Sequence, residues 1–194
     1  MHASLALLPL SLAATAALAE PARYELDPAH TAIAFLVDHV GYAATLGLFP
    51  AVEGGFVYDD ETRELGDVRV VVATASVETL NDARDEHVRS DDFLGVEAHP
   101  EMVFTASGGT PTGEATGEVA GELTMLGQTH PLVLDVTLNK ADVYPFGHGR
   151  LTMGLTVRGR LDRSRWGMDY GVADGLVGDT VTLMIETEAM RVEE

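Results

Sequence analysis

Cysteine is absent from the 194-residue chain, which excludes disulfides, iron–sulfur clusters and thiolate chemistry. Aromatic residues make up only 6%, too few to supply the Trp and Tyr girdles that seat an outer-membrane barrel in lipid. Positive charge is also scarce. Lys140 is the single lysine, and twelve basic residues against 31 acidic ones leave a formal charge of −19. A domain of that charge is repelled by nucleic acid and by anionic lipid surfaces. Beyond residue 19 the serines are Ser76, Ser90, Ser107 and Ser164, none of them in G-x-S-x-G. The histidines are scattered without H-E-x-x-H, and no glycine-rich phosphate loop occurs. These absences argue against an enzyme and against a resident metal or cofactor.

What is present begins with an apolar run, Ala3 to Ala19, closing in Ala17-Leu18-Ala19 just before Glu20 and Pro21. We read residues 1–19 as a cleaved secretory signal peptide. The run is shorter than the ~20 residues of a membrane-spanning helix, so no stable span is expected. Residues 20–194 contain no linker or composition break, and they suffice for one domain with a sizeable core.

Alternation dominates that domain. In Leu151 to Leu161, Leu151, Met153, Leu155, Val157 and Leu161 fall on one face, with Thr152, Thr156, Arg158 and Arg160 on the other. Similar patterns predict strands near Arg23 to Leu26, Ala32 to Val40, Ala51 to Tyr58, Asp67 to Ser76, Glu101 to Ser107, Glu118 to Met125, Leu132 to Asn139 and Thr180 to Met190. Ser107 to Gly117 reads as a long hairpin loop. Only Asn81 to Phe93, charge-dense and free of glycine and proline, reads as a short helix. The fold class expected is all-β: a closed antiparallel β-barrel of about eight strands with one short helix, closure removing exposed strand edges.

Several motifs occur in a fixed order: Asp27-Pro28-Ala29-His30-Thr31-Ala32-Ile33-Ala34-Phe35, then His39-Val40-Gly41 and Gly47-Leu48-Phe49. Arg84-Asp85-Glu86-His87-Val88-Arg89-Ser90 with Asp92-Phe93 follows, then His99-Pro100 with Phe104, Gly121-Glu122-Leu123-Thr124, and Arg163-Ser164 with Trp166-Gly167-Met168. In this series the chain resembles the YceI-like family from Tyr24 to Ala189. The resemblance implies an exported, lipocalin-like barrel in the periplasm, holding a polyisoprenoid or related long-chain amphiphile such as a quinone or prenyl diphosphate. It also allows a homodimer. Three positions depart from the family pattern: Leu126 where a polar or basic residue is common, His130 where lysine is usual before proline, and Trp166 where phenylalanine is common.

Candidate ligand-lining residues are Ile33, Phe35, Val37, Phe56, Phe104, Leu123, Met125, Leu134, Val136, Met153, Leu155, Leu183 and Ile185, with Phe49, Phe93, Trp166 and Met168 nearer the barrel ends. An inward apolar residue serves equally as plain core or as ligand wall, because an eight-stranded barrel either fills its interior or holds one small ligand. Candidate head-group residues are Arg84 and His87 on the expected helix and Arg163 and Arg165 beyond the alternating strand. Arg158 and Arg160 point outward and offset neighbouring acids. Alternatives for the same barrel are an enzyme acting on an amphiphile and a stress-related envelope module with a filled core.

Overall fold

The computed structural model describes residues 21–193, so the signal-peptide reading of residues 1–19 lies outside the described residues. In chain order the strands are β1 (Ala22–Leu26), β2 (Ala32–His39), β3 (Ala43–Phe49), β4 (Val52–Tyr58) and β5 (Leu65–Ala73). Helix α1 (Asp82–Arg89) comes next, then β6 (Glu101–Ala106), β7 (Thr110–Pro111), β8 (Thr116–Met125), β9 (Gln128–Val143), β10 (Leu151–Asp162) and β11 (Val177–Arg191). The antiparallel order β1-β4-β5-β6-β8-β9-β10-β11 returns to β1 through Tyr24 opposite Arg191, which closes an eight-stranded ring. The expected barrel is therefore present, and it is lipocalin-like.

Two staves of the ring are kinked. β2 follows β1 along β11, pairing Ile33 with Ile185 and Phe35 with Leu183, while β3 pairs with β2 and runs on into β4. The β1–β2 kink is made by Asp27, whose Oδ1 accepts the Ala29 N–H at 2.9 Å just after Asp27-Pro28, a common turn initiator. β3 was missing from the sequence reading. Its stretch Ala-Ala-Thr-Leu-Gly-Leu-Phe carries glycine and small residues where its inward face would need bulk to show a period. Similarly, Ser107 to Gly117 is not all loop, since Thr110–Pro111 pairs with the start of β8.

The predicted helix is shorter than Asn81 to Phe93. Asn81 caps it, its side chain accepting the Arg84 N–H at 3.0 Å, and the chain leaves the helix after Arg89. Asp85 accepts from the Thr79 N–H at 2.7 Å, and Arg89 donates to the carbonyls of Ala75 and Val77, so α1 is tied to the segment before it. It lies across one end of the barrel.

β10 keeps the alternation read from its sequence. Met153, Leu155, Val157 and Leu161 face the interior, while Arg158 reaches outward to Glu186 at 2.7 Å. A register shift opposite Gly154/Leu155 is absorbed by β9. Thr152, on the outer face, is nonetheless buried and donates its hydroxyl to the Arg150 carbonyl.

Candidate functional site

Part of the interior is filled by buried side chains and part is open. Trp166, Leu94, Val77, Met125 and Met168 are buried together under α1, whereas Ile33, Phe35, Val37, Val136, Leu155, Leu183 and Ile185 are only half-buried although their side chains point inward. Half-exposure of inward apolar residues means that they border a void rather than one another. The barrel is hollow.

The void has two chambers. The larger, about 460 Å³, lies at the α1 end, and the smaller, about 240 Å³, extends toward the opposite end. Ile33, Leu134 and Ile185, from β2, β9 and β11, border both. The larger chamber falls within the ~300–1,000 Å³ usual for small-molecule sites.

The sequence candidates divide between these spaces. Phe35, Val37, Phe49, Phe93, Leu123, Met125, Met168 and Leu183 border the larger chamber. Phe56, Phe104, Val136, Met153 and Leu155 border the smaller one. Trp166 borders neither. It is fully buried, donates Nε1–H to the Leu123 carbonyl at 3.0 Å, and meets the His130 ring edge-on at 5.2 Å between centroids. It is packed core rather than ligand wall.

The four head-group candidates also separate. Arg84 and His87 border the larger chamber's mouth. Arg84 is held by Thr79, its Nε donating to Oγ1 at 2.7 Å and Nη2 to the carbonyl at 2.6 Å. His87 pairs with Asp92 at 2.8 Å and packs edge-on against Phe93 and Tyr170, each with ring centroids 5.0 Å away. Arg163 borders the same chamber but is almost fully buried. Its guanidinium donates to the carbonyls of Met168, Tyr170, Val177 and Gly178 at 2.8 to 3.0 Å, and burial lowers its pKa against the opposing pull of Asp179 and Asp169. Arg165 is exposed, stands over the Trp166 ring at 5.6 Å and borders neither chamber.

Sequence reasoning missed several wall residues. Val68, Val70, Val72 and Val181 share strand faces at period two yet stand outside the candidate lining residues. Tyr170 and Leu176 had no such signal to give, because they sit in the irregular segment between β10 and β11, brought to the mouth by Arg163.

Polar groups are few inside and gather at the mouths. At the α1 mouth stand Asp38, Thr79, Arg84, His87 and Tyr170. At the far end Arg63 donates to the Glu114 carbonyl and joins the β4–β5 turn to the β7–β8 hairpin. Thr31 and Thr187 share a 2.6 Å hydrogen bond in the wall of the smaller chamber.

Among the described residues, Asp27, His30 and Glu188 are grouped closely enough to share a metal, with donor atoms within 4.8 Å of one another. They border neither chamber. Asp27 Oδ2 and His30 Nδ1 are already hydrogen-bonded at 2.8 Å. That bond, with the carboxylate of Glu188, raises the His30 pKa. Burial works to raise the Asp27 carboxyl, but the hydrogen bonds from His30 and the Ala29 N–H bring it below its ordinary value.

A closed antiparallel barrel with an apolar lumen and a polar mouth defines a lipocalin-like fold. The YceI-like domain model matches residues 24–189, and the chain belongs to the YceI-like family. A UPF0312 protein of Pseudomonas putida (strain GB-1) is 31% identical over 190 residues, covering 97% of this chain and 96% of its own. BcnA of Burkholderia cenocepacia superposes with a TM-score of 0.75 at 18% identity, over 85% of this chain and 99% of that one. A polyisoprenoid binding domain from Saccharophagus degradans superposes with a TM-score of 0.64 at 17% identity, over 89% and 100% of the two chains. These two likenesses establish the shared fold.

Proposed function

We propose that this protein is an exported carrier that holds a polyisoprenoid or related long-chain amphiphile, such as a quinone or prenyl diphosphate, inside the barrel. The observation that carries the reading is the pair of apolar chambers meeting at Ile33, Leu134 and Ile185. A long thin apolar molecule fits such a space, with its polar end among the groups at the α1 mouth. The polyisoprenoid binding domain of Saccharophagus degradans, which has the same fold, supports the same ligand class.

Burial of apolar chain is sufficient chemistry. Each buried CH₂ contributes about 0.8 kcal/mol, so about fifteen carbons supply roughly 12 kcal/mol before association costs of at least about 4 kcal/mol. The remainder corresponds to about micromolar affinity. Binding rather than catalysis is the role proposed, since the lumen is predominantly apolar, Arg84 is held by Thr79 and His87 is paired with Asp92. Arg84 and His87 are the proposed head-group contacts. The donors of Arg163 are engaged by backbone carbonyls, and Arg165 faces solvent.

Export to the periplasm through residues 1–19, and association as a homodimer, belong to the same proposal. N-terminal sequencing and sedimentation of the purified protein test them. The carrier reading is tested by native mass spectrometry of protein purified from its own envelope. A co-purifying apolar ligand is expected. Repeated recovery of ligand-free protein that also fails to take up added prenyl alcohols overturns the reading.

A further inference from the structure

Gly47 lies directly opposite Phe35 across the β2–β3 pair, and Phe35 borders the larger chamber. A Cβ added at Gly47 would meet three atoms of the Phe35 ring, Cζ at 2.1 Å, Cε1 at 2.5 Å and Cε2 at 2.7 Å. The ring lies flat over the glycine. Phe49, two residues along β3, packs beside it with ring centroids 5.4 Å apart.

The backbone of Gly47 is ordinary strand, outside the positive-φ set, so space alone requires the glycine. Glycine inside a strand marks a close approach by another group. At Gly121 the Thr105 carbonyl oxygen also intrudes, at 2.3 Å, and a side chain there would disturb the sheet itself. At Gly47 the nearest obstruction is the far end of one side chain. A methyl at this position displaces the ring from the wall, and the open space available to it is the larger chamber.

We infer that Gly47 is a specificity-determining residue, setting the bore of the larger chamber so that it admits methyl-branched chains as well as straight ones. The inference rests on the reading of this chamber as a site for long-chain amphiphiles. A polyprenyl chain carries a methyl at every fourth carbon and needs a wider channel than a linear alkyl chain. With the Phe35 ring against the glycine the channel is wide. With the ring swung inward it is narrow.

The test compares farnesol with pentadecanol, alcohols of equal carbon number, by displacement of the neutral fluorophore N-phenylnaphthylamine from the full-length mature protein. For Gly47→Ala, farnesol is expected to weaken about tenfold, the scale set by overpacking a close-packed site, while pentadecanol changes by less than about threefold. Phe35→Leu in the Gly47→Ala background is expected to restore farnesol. Phe35→Trp, which enlarges the ring and leaves Gly47 intact, is expected to disfavour farnesol in the same way and replaces Gly47→Ala if that variant fails to fold.

If the wild type binds both alcohols and the variants leave their ratio unchanged, the bore inference is overturned while the carrier reading stands. Equal weakening of both alcohols likewise overturns selection by width. A wild type that binds neither alcohol overturns the carrier reading, and this inference with it.

Discussion

The guanidinium of Arg163 lies 5.6 Å from the centroid of the Phe93 ring, so the residue that follows β10 packs against the segment that follows α1. Four backbone carbonyls from residues 168 to 178 accept its protons. This one side chain therefore fastens the irregular stretch that carries Tyr170 and Leu176 to the barrel mouth.

Replacing Arg163 by alanine leaves those carbonyls without their charged donor, and hydrogen bonds to charged groups are each worth about 1.5–3 kcal/mol. Arg163→Ala is expected to lower stability by about 3 kcal/mol or more, with hydrogen exchange accelerated chiefly between residues 168 and 178. Urea denaturation gives the first quantity and exchange mass spectrometry the second. Unchanged protection in that segment would refute the tether.

Trp166 offers a contrast, since it fills the barrel end without bordering a chamber. Trp166→Ala is expected to cost about 3–5 kcal/mol, the range for emptying a large buried aromatic site. Trp166→Phe costs less and leaves the Leu123 carbonyl without the indole donor. Ligand affinity of the folded Phe variant, measured by fluorophore displacement, is expected to match wild type; a large loss would place Trp166 in the binding wall.

The Asp27 and His30 pair sets a pH window. The folded-state pKa of His30 is raised, so its support for the fold is complete below the unfolded value of about 6.5 and is lost as pH rises through the folded one. The pKa of Asp27 is lowered, so its support is present above about 3.9 and is lost as pH falls through its folded value. The melting-temperature difference between wild type and His30→Gln is expected to be largest between about pH 4 and 6.5 and to shrink at higher pH. A difference that stays constant up to pH ~9 contradicts the assignment.

Phe35→Asp places a carboxylate beside the Phe49 ring in the wall of an apolar chamber. An unpaired charge in such a place is costly. The variant is expected to melt lower or to lose bound lipid, followed by calorimetry and native mass spectrometry. Unchanged melting together with unchanged lipid retention would show that the side chain does not face the lumen.

The period-two pattern of β10 was legible because Met153, Leu155, Val157 and Leu161 meet an apolar lumen, and burial on one face writes itself into sequence. Arg158 and Arg160 could be placed outward for the same reason. β3 was not legible. Its inward Gly47 makes room for a ring on another strand, and a glycine kept for its neighbour's sake carries no period of its own. Arg163 was also misleading at the local level, since an arginine just beyond a strand reads as a head-group donor at the barrel mouth until the loop it binds is seen folded over it.

The sequence by itself determined the all-β class, the single short helix, the acidic surface and the family, because alternation, charge and ordered motifs are local or additive properties of the chain. Only the tertiary structure decided that the barrel closes through β1 and β11, that its interior is hollow and divided at Ile33, Leu134 and Ile185, that Trp166 is packed core and that Arg163 fastens a loop. Whether inward side chains touch one another or border a void depends on distances across the barrel, between residues far apart in sequence, and no local pattern encodes those distances.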